Sequence, residues 1–516
     1  MSISSNKNPV EACLAELGAH WGRFRSDPLK RLLVWKVPED AVRMLQCFFE
    51  VQKHDTEYAT GDLFFVLEPS FEHSIQYSRE LKAAVAGQYE ASMEDFRAQK
   101  LPVDWKLDPE QSPDSAMAFI RCLCSFGSEY HESIGHLVGV LMPKEIANPP
   151  AFESWLARAL DSNIPERLRL VVIDSIENPR FPELAQEGHD RIFFDSPDID
   201  STAIAQKTFA QESVSDPAGV FRNLFMGLIT LVEKGSADTV KMKARDAMAF
   251  AQKHGWADQK VAISMLVAGA MLKEKRFSEA VQTYQGARHA AQKVADSGHP
   301  VGKQLVLQSL FGEAGAHLAA GKPKQAAACY DQAGMIAEKI PNAIMTIEAL
   351  RMGGFCHARM ENPEGSAQRV QKALDMGARL KPESRGMTTL PLAAAELLRL
   401  AGPDRMKEVE LAKNEMDSRL YSLLQTLEQR SAELETDNDP ELLRKVEQDY
   451  LAEKEQTMQA AEQKINALAQ ESGKEFSDVY KKNTTLLGPN WLLNNPIALP
   501  KSPSPMLVSP QRIPPL

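Results

Sequence analysis

A multidomain fold is predicted: an N-terminal α/β domain with a mostly parallel sheet, then an α-helical solenoid, then a charged α-helical hairpin and a disordered tail. Three features of the chain predict it. Short unbroken apolar runs alternate with helical patterns in the N-terminal part. From about Phe221 to Leu380, small residues recur at matching places in successive helix pairs. Beyond Ala401 the pattern becomes long, charged and finally rich in proline. At 516 residues there is room for several such domains, and the expected divisions are 1–215, 216–402, 403–483 and 484–516.

After a polar lead, Arg31-Leu-Leu-Val-Trp-Lys-Val37 is an apolar run that stops at Pro38. An amphipathic helix follows, with Ala41, Val42, Leu45, Phe48 and Phe49 on one side. Further runs are Asp62–Leu67, His136–Leu141, Leu168–Asp174 and Arg191–Asp195. Unbroken apolarity over so few residues is the mark of a strand buried on both faces by crossover helices. Helical patterns at Ser74–Phe96, Ser115–Tyr130 and Phe152–Leu160 supply those crossovers. Strand–helix alternation then gives a mostly parallel sheet.

Parallel sheets often hold nucleotides, so the turn after the first strand is decisive. A phosphate loop needs Gly-x-x-x-x-Gly-Lys-[Ser/Thr], because backbone N–H groups must crowd around the phosphates. Here the turn is Lys36-Val-Pro-Glu-Asp-Ala41, with no glycine, a proline lacking its N–H, and two carboxylates that repel phosphate. Gly321-Lys322 continues into Pro323, and Gly473-Lys474 into Glu475, so neither completes the motif. Leu170-Val-Val-Ile-Asp174 is similar to the strand whose terminal Asp orients magnesium in nucleoside triphosphatases. The domain therefore resembles a degenerate P-loop NTPase scaffold kept for its shape, with Asp174 as a strand-end or capping residue.

Three other constellations are read as structural. In His131-Glu-Ser-Ile-Gly-His136 the two imidazoles are five positions apart. On a regular helix that turns them about 140° from each other, too far for one metal. Cys122 and Cys124 lie in an apolar run without the second pair a zinc site requires. Asp174, Glu177, Asp195 and Asp198 are expected to be solvated loop and cap carboxylates. No catalytic, cofactor-binding or metal-binding residue, and no cofactor, is expected.

The helical stretch carries its own signature. Val267–Ala280 with Val281–Ala287, and Gly321–Ala333, each place Ala, Tyr and Ala at steps of four and three on one helix face. Small residues there let the next helix come close. The trios are Val240/Ala244/Ala247, Ala280/Tyr284/Ala287, Ala326/Tyr330/Ala333 and Ser366/Val370/Ala373, with Gly235, Lys275, Gly321 and Glu361 at the preceding turns. On these residues the stretch resembles tetratricopeptide repeats, though its periods of 40, 46 and 40 are longer than the usual 34 or so. The resemblance implies stacked hairpins whose first helices line a concave groove. Carried over, the partner-binding positions are Phe225, Ile229, Met265, Gly269, Phe311, Gly315, Arg351 and Phe355. Mostly apolar, they suit an amphipathic helix or an extended apolar segment.

Ser215-Asp-Pro-Ala218 is read as a helix start with Asp216 as cap. After Ala401-Gly-Pro403, one charged helix runs from about Asp404 to Ala432 and another begins after Asp439-Pro440. The two are expected to pack as a hairpin, with self-association as the alternative. Proline density after Thr484 predicts a disordered tail, in which Trp491-Leu-Leu493 is either a docking peptide or a patch on its own domain.

The net charge of -11, with no basic stripe, disfavours nucleic acid and anionic membrane as partners. No run approaches the roughly 18 apolar residues of a membrane span, and the N-terminus lacks the apolar run of a signal peptide. Six scattered cysteines fit a reduced, cytoplasmic protein. The expected function is a protein-binding adaptor or chaperone-like scaffold that escorts a secreted or assembly cargo. The alternative is a nucleotide-dependent enzyme or ligand sensor with regulatory repeats.

Overall fold

The computed structural model describes residues 8–494, apart from 55, 99, 108–111, 187–189, 213–216, 341 and 438. The chain divides into two compact units, residues 1–208 with 418–457, and residues 209–417 with 458–516.

The first unit contains strands β1 (Leu32–Val37), β2 (Leu63–Leu67), β3 (Leu137–Leu141), β4 (Leu168–Ser175) and β5 (Ile192–Asp195), in the spatial order β2-β3-β4-β1-β5. Every pairing is parallel, with Leu33 opposite Val171 and Val138 opposite Arg169. Its helices are α1 (Pro9–Arg25), α2 (Val42–Val51), α3 (Ser74–Ala98), α4 (Ala116–Glu129), α5 (Pro149–Asp161) and α6 (Pro182–Gln186), and α7 (Ser201–Glu212) begins in it. The alternation of side chains across the sheet explains the unbroken apolar runs. Leu32 and Val34 of β1, with Leu170 and Val172 of β4, enter a core covered by α3, α4 and α5. Leu33, Trp35 and Val37, with Val171 and Ile173, enter a second core covered by α1 and α2. Both faces are dry, so both registers must be apolar.

The polar lead is a helix, α1, capped by Asn8 and Glu11 in a reciprocal capping box. Cys13, Leu14, Leu17, Trp21 and Phe24 form its buried stripe. Their spacing is helical, but polar residues between them hide it from a search for continuous apolarity.

The adjoining ends of α18 (Pro403–Glu433) and α19 (Pro440–Gln470) belong to the sheet unit. Leu427 and Leu443 bury against Ile75. Around them three buried carboxylates are spent on α3, α4 and α5. Glu428 takes the backbone N–H and the hydroxyl of Ser74. Glu435 takes the N–H of Met117 at 2.7 Å and Arg158 at 3.1 Å. Glu447 takes both terminal nitrogens of Arg79 at 2.6 and 2.9 Å.

The second unit is helical: α8 (Pro217–Lys234), α9 (Ala237–Lys253), α10 (Ala257–Lys273), α11 (Phe277–Asp296), α12 (Gly302–Ala319), α13 (Pro323–Lys339), α14 (Ala343–Ala358), α15 (Pro363–Gly377), α16 (Pro382–Arg385) and α17 (Leu390–Ala401), then the remaining parts of α18 and α19, α20 (Lys474–Leu487) and α21 (Trp491–Asn494). Successive helices from α8 to α15 pack as hairpins. The expected disordered tail is corrected over 484–494. There α20 continues to Leu487, and Trp491, Leu492 and Leu493 are buried in α21, which packs on α17. Three large apolar side chains precede the first proline of the dense run, Pro496, and their burial outweighs the composition beyond it. The rest of the tail and the Asp216 cap lie outside the described residues.

Candidate functional site

The face formed by the first helices of the hairpins is built by what happens on the second helices. All four trios are buried: Val240, Ala280, Ala326 and Ser366 are 0% exposed, and no other trio member exceeds 9%. Small side chains there bring helices into close contact. Tyr284 reaches the next hairpin, where a Cβ added to Gly312 would stand 2.3 Å from its ring. Glycine at 312 is therefore required by packing.

The turns are equally regular. Lys275, Gly321 and Glu361 adopt left-handed backbone, with φ of 61°, 69° and 56°. In each, paired 5→2 and 6→1 hydrogen bonds close the helix end, as from Lys275 to Leu272 and Arg276 to Met271. Gly255 and Gly298 close α9 and α11 the same way. Gly235, matched to this position by sequence, is not among the left-handed glycines.

With the second helices sealed, α10 lies against both α8 and α12. Phe225, Ile229, Met265, Gly269, Phe311, Gly315, Arg351 and Phe355 are all partly buried, none sealed and none bare. Met265 accepts a contact from the Ser309 hydroxyl at 3.4 Å, joining α10 to α12. Phe311 stands edge-on to Tyr330, ring centroids 5.6 Å apart. Arg351 is committed to Glu348 at 2.7 and 2.9 Å, and Glu348 also accepts from Thr389. A Cβ at Gly269 would make ordinary contact with the Tyr284 hydroxyl, 3.8 Å away, while one at Gly315 meets open space.

In the sheet unit, ligands of parallel sheets sit outside the carboxyl ends of the strands. There the turn after β1 is occupied from within. The Glu177 carboxylate accepts the N–H of Glu39 at 3.3 Å and the Ser175 hydroxyl at 3.0 Å. Asn178 donates to Glu39 at 2.8 Å. The backbone donor that a phosphate would use already serves a carboxylate, and its own backbone N–H first, then the Ser175 hydroxyl and the Glu39 N–H, hold Glu177 below the usual carboxylate range.

Of the four carboxylates expected to be solvated loop and cap groups, Glu177 and Asp198 are exposed, but Asp174 is buried and Asp195 half-buried, because each finds partners within the fold. Asp174 caps the chain at Ser175 and Arg180, whereas Asp195 binds His20 at 2.6 Å and the Trp35 indole at 3.2 Å. His131 is exposed and bonded to the Ser128 carbonyl. His136 instead donates to buried Asp62, which also receives Trp21 and Arg25. This pins α1 to the amino ends of β2 and β3. Burial raises the Asp62 carboxyl, but the His136, Trp21 and Arg25 partners outweigh it and leave it below its ordinary value. Cys122 is buried in the core, its thiol pushed up to about 12 by burial.

One grouping escaped the sequence reading. Glu313 and His317 on α12 and Cys329 on α13 bring one ligand atom each within 4.8 Å of one another. The Glu-x-x-x-His spacing on one helix was the visible signal; only the folded hairpin supplies the cysteine.

No protein-family model and no curated protein matches this chain. Among solved structures, BtubC (BKLC) of P. vanneervenii aligns over 42% of this chain and 90% of its own, with 15% identity and a TM-score of 0.33. A signal transduction ATPase with numerous domains and a tetratricopeptide repeat sensor, from Pyrococcus horikoshii, aligns over 92% of this chain and 94% of its own, with 10% identity and a TM-score of 0.27. Neither score is high enough to bear on fold or function. The class rests on the geometry itself: a parallel α/β sheet in one unit and stacked helical hairpins in the other.

Proposed function

We propose that this chain is a cytoplasmic, non-catalytic scaffold of the tetratricopeptide-like type, which holds a segment of another protein against the first helices of its hairpins. One observation carries the reading. The hairpin cores are closed by the small-residue trios, leaving Phe225, Ile229, Met265, Phe311 and Phe355 apolar yet partly exposed along one set of helices. Such a surface suits the apolar face of an amphipathic helix or an extended segment. The sheet unit is then a degenerate nucleotide scaffold whose role is structural or regulatory, in keeping with carboxylates at the turn where phosphates would sit. Escort of a secreted or assembly cargo is the corresponding cellular role.

Gly315→Arg provides the test, because a side chain there enters open space. Affinity capture from the native cell with the wild type, Gly315→Arg, Met265→Asp and Phe311→Asp should lose the same partner in all three variants. The melting temperature of Gly315→Arg should not fall, since replacing a mid-helix glycine contributes about 0.5–1 kcal/mol. Return of an unchanged partner set with all three variants would show that this face is not the binding surface. Calorimetric titration with ATP and magnesium should show no saturable heat; binding accompanied by turnover would favour the enzyme reading instead.

A further inference from the structure

The Glu313, His317 and Cys329 cluster lies inside the α12–α13 hairpin, away from the open face. The three residues are 3%, 7% and 7% exposed. His317 Nδ1 is buried with no hydrogen-bond partner, an unsatisfied polar atom of the kind that folding disfavours. The Glu313 carboxylate is 3.9 Å from His317 Nε2 and is held at 2.7 Å by Arg288 Nε. The Arg288 side chain is 26% exposed, so it has a path to water.

Packing alone does not call for these residue types. Shifting by 46 positions, from Ala326 back to Ala280, puts Val267, Met271 and Thr283 at the same places in the preceding hairpin. There the Thr283 hydroxyl meets the Met271 sulfur at 3.5 Å, which confirms the equivalence in space. An apolar pair with a threonine fills that hairpin. One carboxylate, one imidazole and one thiol fill this one.

We propose that Glu313, His317 and Cys329 form a site for a divalent cation of the zinc class, with Arg288 neutralising the carboxylate in the metal-free protein. A thiolate, an imidazole and a carboxylate are the ligands that zinc accepts, and three protein ligands leave a fourth position for water. Entry of the cation releases one proton, from the Cys329 thiol, and displaces the Arg288 guanidinium into solvent. The two anionic ligands then balance the two charges of the metal. A bound ion cross-links α12 to α13 within one hairpin.

The test uses the full chain, stripped by chelator and titrated with cobalt(II) and then zinc(II). Cobalt should bind at about one equivalent and produce a thiolate-to-cobalt charge-transfer band in the near ultraviolet, which zinc abolishes by displacement. The band should vanish in Cys329→Ser and persist in Cys356→Ser, a buried thiol of the same core cluster. Arg288→Gln removes the competing cation and should tighten binding several-fold. Absence of the band in the wild type would overturn the proposal whatever the variants do. So would a band that follows Cys356, or weaker binding in Arg288→Gln, which would mark a buried ion pair and nothing more.

Discussion

Lys275 and Glu361 occupy backbone that glycine takes without strain, and in the equivalent turn Gly321 does so. A side chain in left-handed backbone costs about 1–2 kcal/mol, against which glycine loses something by freeing the unfolded chain. Lys275→Gly and Glu361→Gly should therefore each stabilise the helical unit by up to about 1 kcal/mol, read as a higher melting temperature. A fall would mean that the Lys or Glu side chain stabilises its turn by more than the strain. At these positions sequence was a good guide to place and a poor guide to type. The turn was legible from its distance to the Ala/Tyr/Ala trio, although two of the matched residues are not glycine. Gly235 was legible as a turn by composition, yet its backbone is not left-handed, because local residue choice does not determine how the following helix docks.

Among the elements, the ends of α18 and α19 against α3 show burial controlling ionisation. Desolvation first, then the neighbouring Arg79 and Lys454 cations, hold the His73 imidazole down to about 4 from an ordinary 6.5, against the opposing pull of Glu447. Its Nδ1 accepts the N–H of Gln76, and its Nε2 lies 3.5 Å from Glu447. Because the folded value lies below the unfolded one, the unfolded chain takes up the proton first. The contribution is whole above pH 6.5 and is lost as the pH falls towards 4, to a total of about 3.5 kcal/mol at about 1.4 kcal/mol per unit. Melting curves of the sheet unit should drop through that window and flatten in His73→Gln. An unchanged slope in the variant would exclude His73 as the source. The existence of both charged helices was plain from their apolar stripes and caps. That their joined ends spend Glu428, Glu435 and Glu447 on the sheet unit was not, since a carboxylate on a polar helix face reads as solvated until its partner is placed.

At the level of the whole molecule, a net charge of -11 and an isoelectric point near 5.6 keep the chain soluble at neutral pH by self-repulsion. As the charge vanishes near that isoelectric point, the His73 loss is already under way, so the two effects coincide. Turbidity at fixed protein concentration should peak close to pH 5.6 and should be smaller in His73→Gln at the same pH. A peak unmoved in height would separate colloidal from conformational causes. No helix among the described residues is long and apolar enough to cross a membrane.

Periodicity in the chain determined a good deal unaided. Two-faced apolar runs specified buried parallel strands, because a strand covered on both sides has no polar register. Small residues at steps of four and three specified stacked helices, because only they permit the approach seen between Tyr284 and Gly312. Those are properties of neighbours along the chain. What tertiary structure alone decided depends on residues far apart in it: Asp62 joined to His136, the carboxylates of α18, α19 and the turn between them joined to α3, α4 and α5, and Cys329 brought to Glu313 and His317. Pairings of that kind arise from the crossing of packed elements, and no local period encodes where two helices will cross.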